Sequence, residues 1–147
     1  MFNSIVVGTD GSKTATQAVR EAVDMAKAVG ATLELVSAYA PVSEQRLRAE
    51  RRDAPSEVQW ATNPRRETEA VLTDAADIAR EAAVNVNTHA REGDPSDAIL
   101  NVAEEQKADL VIVGNKGMTG AKRFLLGSVP DKVSHHAPCS VLIIRTT

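Results

Sequence analysis

The chain switches between two hydrophobic periods, and each switch marks the end of an element. Phe2 to Val7 is β-branched and apolar, as in a strand covered on both faces, until Gly8-Thr9-Asp10-Gly11-Ser12 breaks the run. From Thr14 to Val29 the apolar positions Ala15, Ala18, Val19, Ala22, Val23 and Ala26 fall at helical spacing, and Gly30 stands where a helix C-terminal glycine is expected. Leu33 to Tyr39 reads as a second strand. A polar stretch follows, with Pro41, Pro55, Pro64 and the cluster Arg46, Arg48, Arg51 and Arg52. It predicts a surface connection over about 41–63, carrying at most a short helix. Glu67 to Ala83 predicts another helix, with Val71, Ala75, Ile78 and Ala82 on one face. Val84 to Ala90 then alternates as a strand should.

Asp94-Pro95-Ser96-Asp97 is a helix start: Asp at the cap, Pro in the first turn, and an acid three residues after the cap. Ile99, Val102 and Ala103 continue that helix. Leu110 to Val113 is a short apolar strand. After a long glycine-bearing loop, Ser128 is expected to cap a helix reaching His136, with Asp131 three residues on. Pro138 to Arg145, around Val141-Leu-Ile-Ile144, closes the pattern as a strand. The order is β-α-β-α-β-α-β-α-β. It predicts one α/β domain over 1–147: a doubly wound, five-stranded, mainly parallel sheet with helices on both faces.

In such sheets ligands sit beyond the carboxyl ends of the strands, where the winding reverses. Two turns leave strands there. One is Gly8 to Ser12. The other has the spacing G-x2-G-x9-G-S: Gly114, Gly117, then Gly127-Ser128, with Gly120 and Lys122-Arg123 inside the nine-residue span. Glycines admit a ligand close to the backbone, and a helix N-terminus offers free N–H groups to an anion. The loop is not a P-loop, and the first strand is not followed by G-x-G-x-x-G. Loops of this length are uncommon unless functional. A nucleotide is the expected ligand.

Charge and cysteine content narrow the classes. With 17 basic and 20 acidic residues the net charge is −3, without the basic face expected of a nucleic-acid binder. Cys139 is the single cysteine, which excludes an intramolecular disulfide and reads as a small buried hydrophobe. No apolar run approaches the ~20 residues that span a bilayer, and no charged-then-apolar leader opens the chain. The expectation is a soluble, cytoplasmic domain without nucleic-acid or membrane partners.

The stretches IVVGTDGS, REGDPSDAI, ADLVIVGNKGMTGAKRFLLGSV and HAPCSVLIIR resemble the universal stress protein family over nearly the full length, residues 41 to 63 excepted. The G-x2-G-x9-G-S spacing resembles the ATP-binding subgroup of that family. The resemblance implies the adenine nucleotide alpha hydrolase-like version of the fold, binding ATP with Mg2+ as a regulator of stress response. It implies a nucleotide site of Gly8, Thr9 and Asp10, with Asp10 near the ribose or a phosphate-bound metal. Ala38 would meet the adenine through its backbone. Gly114, Lys116, Gly117 and Gly120 would lie along ribose and phosphates, and Gly127, Ser128 and Val129 would grip the phosphates. It also implies a homodimer through the C-terminal strand. Asn115-Lys116 departs from the hydroxyl or small residue and arginine more usual there, and Pro130 removes one amide next to Ser128.

Other readings stand beside this one. An ATP pyrophosphatase-like enzyme or slow ATPase of the related fold would need a first loop of the form S-G-G-x-D-S, which is absent here, and no base–nucleophile pair is visible. A homologue that keeps the loop as a scaffold without binding is the third. Asp10 could instead cap the first helix. His135 and His136 suit a helix C-terminus better than a metal, having no third ligand. His89 reads as a packing or edge residue, and Trp60 as an anchor for the polar connection.

Overall fold

In the computed structural model residues 1–40, 63–115 and 127–146 are described. Among them the elements are β1 (Ser4–Gly8), α1 (Lys13–Val29), β2 (Thr32–Tyr39), α2 (Pro64–Glu81), β3 (Val86–Glu92), α3 (Pro95–Glu105), β4 (Leu110–Gly114), α4 (Ser128–His136) and β5 (Ser140–Ile144). The sheet order is β3-β2-β1-β4-β5 and every pairing is parallel. The predicted doubly wound α/β fold is therefore the observed one. The polar connection, with Trp60 and its arginines, lies outside the described residues apart from Asn63, as do Lys116, Gly117 and Gly120.

Alternation along the strands splits the core in two. Ile5, Val7, Leu33, Leu35, Leu110 and Ile112 point to one face, where α1 contributes Val19, Ala22 and Val23 and α2 contributes Leu72, Ala76 and Ala79. Val6, Val36, Val111 and Val113 point to the other, under Ile99 and Val102 of α3 and Val129 and Val133 of α4. Burial on both faces is why the central strands read as unbroken apolar runs.

Most boundaries shift by one or two residues, and three differences have a clear local reason. α2 begins at Pro64 rather than Glu67, because the Asn63 side chain accepts from the N–H groups of Arg65 and Arg66 and Pro64 sits in the first turn. Its buried stripe is Thr68, Leu72, Ala75, Ala76 and Ala79, so Val71, Ile78 and Ala82 lie on the flank. β3 begins at Val86 because Ala83, at φ 60, turns the chain out of α2 and the Val84 N–H bonds back to Ala79 O. Lastly, Gly127 rather than Ser128 is the N-cap of α4, and no side-chain cap bond is made.

Strand β3 is an edge, and His89 serves there as a packing group. Its Nε2–H donates to Glu34 Oε2 at 2.8 Å, while Asn87 Nδ2 donates to Oε1 of the same carboxylate at 3.0 Å. Two donors thus satisfy a carboxylate held almost entirely out of water on β2. Cys139 is half-buried rather than buried, and burial pushes its thiol pKa up.

Asp94 caps α3 as expected, accepting from the Asp97 N–H at 3.1 Å, with the Ser96 hydroxyl donating to the same oxygen. The Ser96 hydroxyl above all, with Asp97 N–H and Lys132, holds the Asp94 carboxyl below the usual carboxylate range. Asp94→Ala should cost about 1 kcal/mol in urea unfolding at pH 7. A depressed carboxylate stabilises the fold above its unfolded pKa and loses that effect as pH falls through the folded value. The gap between wild type and variant should therefore narrow below pH ~4. A gap that is constant down to pH ~2 would assign the cost to packing instead.

Candidate functional site

Strands β1 and β4 are neighbours at the point where the winding reverses, with β2 and β3 on one side and β5 on the other. Their last mutual pair is Val7–Ile112, so Gly8 stands one residue beyond it and Gly114 two. The chain leaves β1 toward α1 on one face and β4 toward α4 on the other. A crevice at the shared carboxyl ends follows from that divergence.

The turn after β1 is built by its own short polar side chains. The Thr9 N–H donates to Val36 O at 2.9 Å, and Thr9 Oγ1 accepts from the Gly11 N–H at 3.1 Å. Asp10 is exposed, and its Oδ1 accepts from the Ser12 N–H at 2.9 Å. Ser12 Oγ in turn accepts from Ala15 N–H and is the cap of α1. Asp10 therefore shapes the turn and leaves the capping to Ser12. Gly11 holds φ +82, and a Cβ there would come within 3.0 Å of Val71 Cγ2 in α2. The glycine that needs its freedom at this site is Gly11, which the sequence reading left out of the site. The Asp-Gly pair was its signal.

Thr9 and Gly11 also line a cavity of about 170 Å³ between α1 and α2, with Val71, Ala75 and Ile78. It lies on the α1/α2 side and is smaller than the ~300–1,000 Å³ usual for ligand pockets. The buried Thr9 side chain thus looks away from α4. Ala38, at the carboxyl end of β2, packs on the opposite side against the cluster that includes Val129.

At the glycine loop the described residues are its two ends. Gly114 pairs with Ile144 of β5. The Asn115 N–H donates to Ile144 O at 2.9 Å, and Asn115 O accepts from the Gly127 N–H at 3.0 Å. The Gly127 amide is therefore already taken up within the chain. Pro130 has no N–H, and Asp131 N–H is bonded to Gly127 O at 3.1 Å. Among the described residues no partner is bonded to the amides of Ser128 and Val129, the first-turn donors of α4, and the Ser128 side chain is exposed. Neither Gly114 nor Gly127 has a positive φ.

No group of three His, Cys, Asp or Glu able to hold a metal occurs among the described residues. His135 Nδ1–H donates to Asp131 O at 2.7 Å, a local helix contact. Lys132 of α4 is paired with Asp97 at 2.7 Å and Asp94 at 3.6 Å, at the start of α3.

Residues 1–145 match the model of the universal stress protein family. The chain belongs to that family. Among curated relatives, universal stress protein Rv1636 of Mycobacterium tuberculosis (strain H37Rv) is 42% identical over 147 residues, covering 99% of this chain and 98% of its own. Universal stress protein YxiE of Bacillus subtilis (strain 168) is 34% identical over 99% of this chain and 100% of its own. Among solved structures, a universal stress protein crystallised in complex with cAMP is 33% identical, with a TM-score of 0.73 and coverage of 99% and 98% of the two chains. The universal stress protein UspA from Lactobacillus plantarum superposes with a TM-score of 0.74 at 28% identity, covering 97% of each chain. No helix among the described residues is long and apolar enough to cross a membrane.

Proposed function

We propose that this universal stress protein is a single-domain, cytoplasmic adenine-nucleotide-binding regulator whose ligand is ATP with Mg2+. The observation that carries the reading is that the Ser128 and Val129 amides at the start of α4 bond to no group among the described residues, with Asp10 two residues past the end of the neighbouring strand β1. Ala38 offers backbone to the adenine, while Gly8, Thr9, Gly114, Lys116, Gly117, Gly120 and Gly127 complete the nucleotide path. Gly127 acts there by its lack of a side chain. Mg2+ takes one or two carboxylates together with phosphates and water, so Asp10 suits an ion that arrives with the nucleotide. Hydrolysis is expected to be slow, since no general base is paired with a nucleophile among the described residues.

A second reading, cAMP, is favoured by the 33% identical relative solved with it. A cyclic monophosphate carries one charge and needs no metal. Calorimetry with ATP, with and without Mg2+, and with cAMP separates the two. The expected result is Mg2+-dependent ATP binding that Ser128→Ala weakens about fivefold, or ~1 kcal/mol, the value of one hydrogen bond. Equal affinity for ATP with and without Mg2+, and tighter cAMP binding, would favour the second reading. No heat and no thermal shift at millimolar nucleotide would defeat both.

The C-terminal strand supports a homodimer. β5 is a sheet edge, and Ile143 on it is 37% exposed. Unpaired apolar edges invite pairing, and a second copy related by a two-fold satisfies the ladder. Light scattering is expected to give twice the 15.7 kDa of one chain. A monomeric mass at high micromolar concentration would rule the pairing out.

A further inference from the structure

The Asn115 side chain joins the glycine loop to the segment that follows β5. Its Oδ1 accepts two hydrogen bonds from one residue: the Thr146 N–H at 2.8 Å and the Thr146 Oγ1–H at 3.1 Å. A backbone N–H can only donate, so the atom facing Thr146 must be the carboxamide oxygen and not its nitrogen. An sp² oxygen has two lone pairs, which suits this chelate. The same residue's N–H extends the β4–β5 ladder to Ile144 O, and its carbonyl holds the Gly127 N–H. Four hydrogen bonds on Asn115 therefore tie together the exit of β4, the chain beyond β5 and the entry to α4.

Position on the chain makes this more than a loop contact. Gly127 immediately precedes Ser128 and Val129, whose amides bond to no group among the described residues. The peptide after Asn115 orients the Gly127 N–H, and that peptide is held in turn by the carboxamide clasped on Thr146. Releasing the clasp lets the Asn115–Lys116 peptide rotate and frees the Gly127 amide, so the two donors lose their fixed aim. Backbone donors are effective toward an anion only when their orientation is set in advance.

We infer that Asn115 is a positioning residue for the nucleotide phosphates and that its clasp on Thr146 links nucleotide occupancy to the order of the chain beyond β5. The inference rests on the proposed nucleotide site. Thr146 stands two residues past the last residue of an exposed edge strand, so the link carries the state of the loop to that edge.

The test uses the full chain, Asn115→Ala, a chain ended at Arg145, and the two changes combined. Asn115→Ala is expected to weaken ATP–Mg2+ about tenfold in calorimetry, within the usual range of site-to-site coupling. Removing Thr146 is expected to do the same. Because both changes open one clasp, the combined variant is expected to bind no more weakly than either alone, a non-additivity that two unrelated structural losses would not produce. Thr146→Ser keeps both donors and is expected to bind as wild type. By linkage, ATP should slow hydrogen exchange of the Thr146 amide in wild type and leave it unchanged in Asn115→Ala. If wild type binds and every variant matches it, the clasp has no part in binding and the inference falls while the nucleotide site stands. Additive losses, with no ATP-dependent protection at Thr146, would also overturn it. If wild type takes up no nucleotide, the site and the clasp fall together. The truncated chain ends past β5, so it keeps the test open should Asn115→Ala fail to fold.

Discussion

Shortening Ile112 to alanine is expected to remove about 3 kcal/mol of stability, and Ile112→Val about 1. Ile112 has no exposed surface and lies in β4, paired to Val7 of β1 on one side and Leu142 of β5 on the other. Its side chain fills the core face that α1 and α2 cover. Packing on three sides leaves little room for collapse, so the loss includes the cavity as well as the missing methylenes. Against the 5–15 kcal/mol typical of a domain, about 3 is a large share. Urea unfolding followed by circular dichroism measures it, and the m-value should stay constant. Adding nucleotide at about 100 times its Kd should return roughly 2.7 kcal/mol to both proteins alike, because binding acts on the folded state only. A loss below about 1 kcal/mol would mean the site relaxes far more than its burial implies.

Replacing Gly11 by valine is expected to cost about as much, and to damage the proposed nucleotide site with it. Two effects combine. A φ of +82 is unfavourable for any L side chain, by roughly 1–2 kcal/mol, and worse for a β-branched one. The new Cβ would also stand 3.0 Å from Val71 Cγ2, with two further carbons behind it. A double-mutant cycle separates the parts. Gly11→Ala in a Val71→Ala background should cost only the backbone share, since the colliding methyls are gone, while in wild type it should cost about 1 kcal/mol more. Equal costs in both backgrounds would show that α2 yields freely. Because Gly11 follows Asp10 and its N–H is held by Thr9 Oγ1, displacing it moves the carboxylate proposed for the site. Nucleotide affinity should therefore fall in Gly11→Val.

Much of this architecture follows from local chemistry that acts at short range along the chain. Apolar runs such as Leu110–Val113 fit strands covered twice, and Asp94-Pro95 marks a helix start, so element order and the parallel, doubly wound sheet were legible. The two glycine-bearing turns were legible as well, and the winding makes the strands they leave, β1 and β4, neighbours at the place proposed for the site. The face of α2 was not legible. Ala75, Ala76, Ala79 and Ala82 give a weak hydrophobic gradient, and the larger Val71 and Ile78 pulled the expected stripe to one side. Contact with the sheet chose Leu72, Ala76 and Ala79 instead. The start of α4 was misread by one residue because Ser is the commoner cap, yet the Gly127 N–H is held by Asn115.

Hydrophobic period, turn residues and caps are properties of neighbours, so the amino-acid chain alone set the elements, their order, the family and the spacing of the glycine loop. Which donors are already taken up depends on bonds between residues distant in sequence, and the folded arrangement settles it. Asn115 is bound to Thr146, Gly11 is pressed against Val71, and Glu34 is paired with His89 from another strand. Each of these partners is brought near by the sheet, and no periodicity along the chain encodes which side chains the sheet will make adjacent.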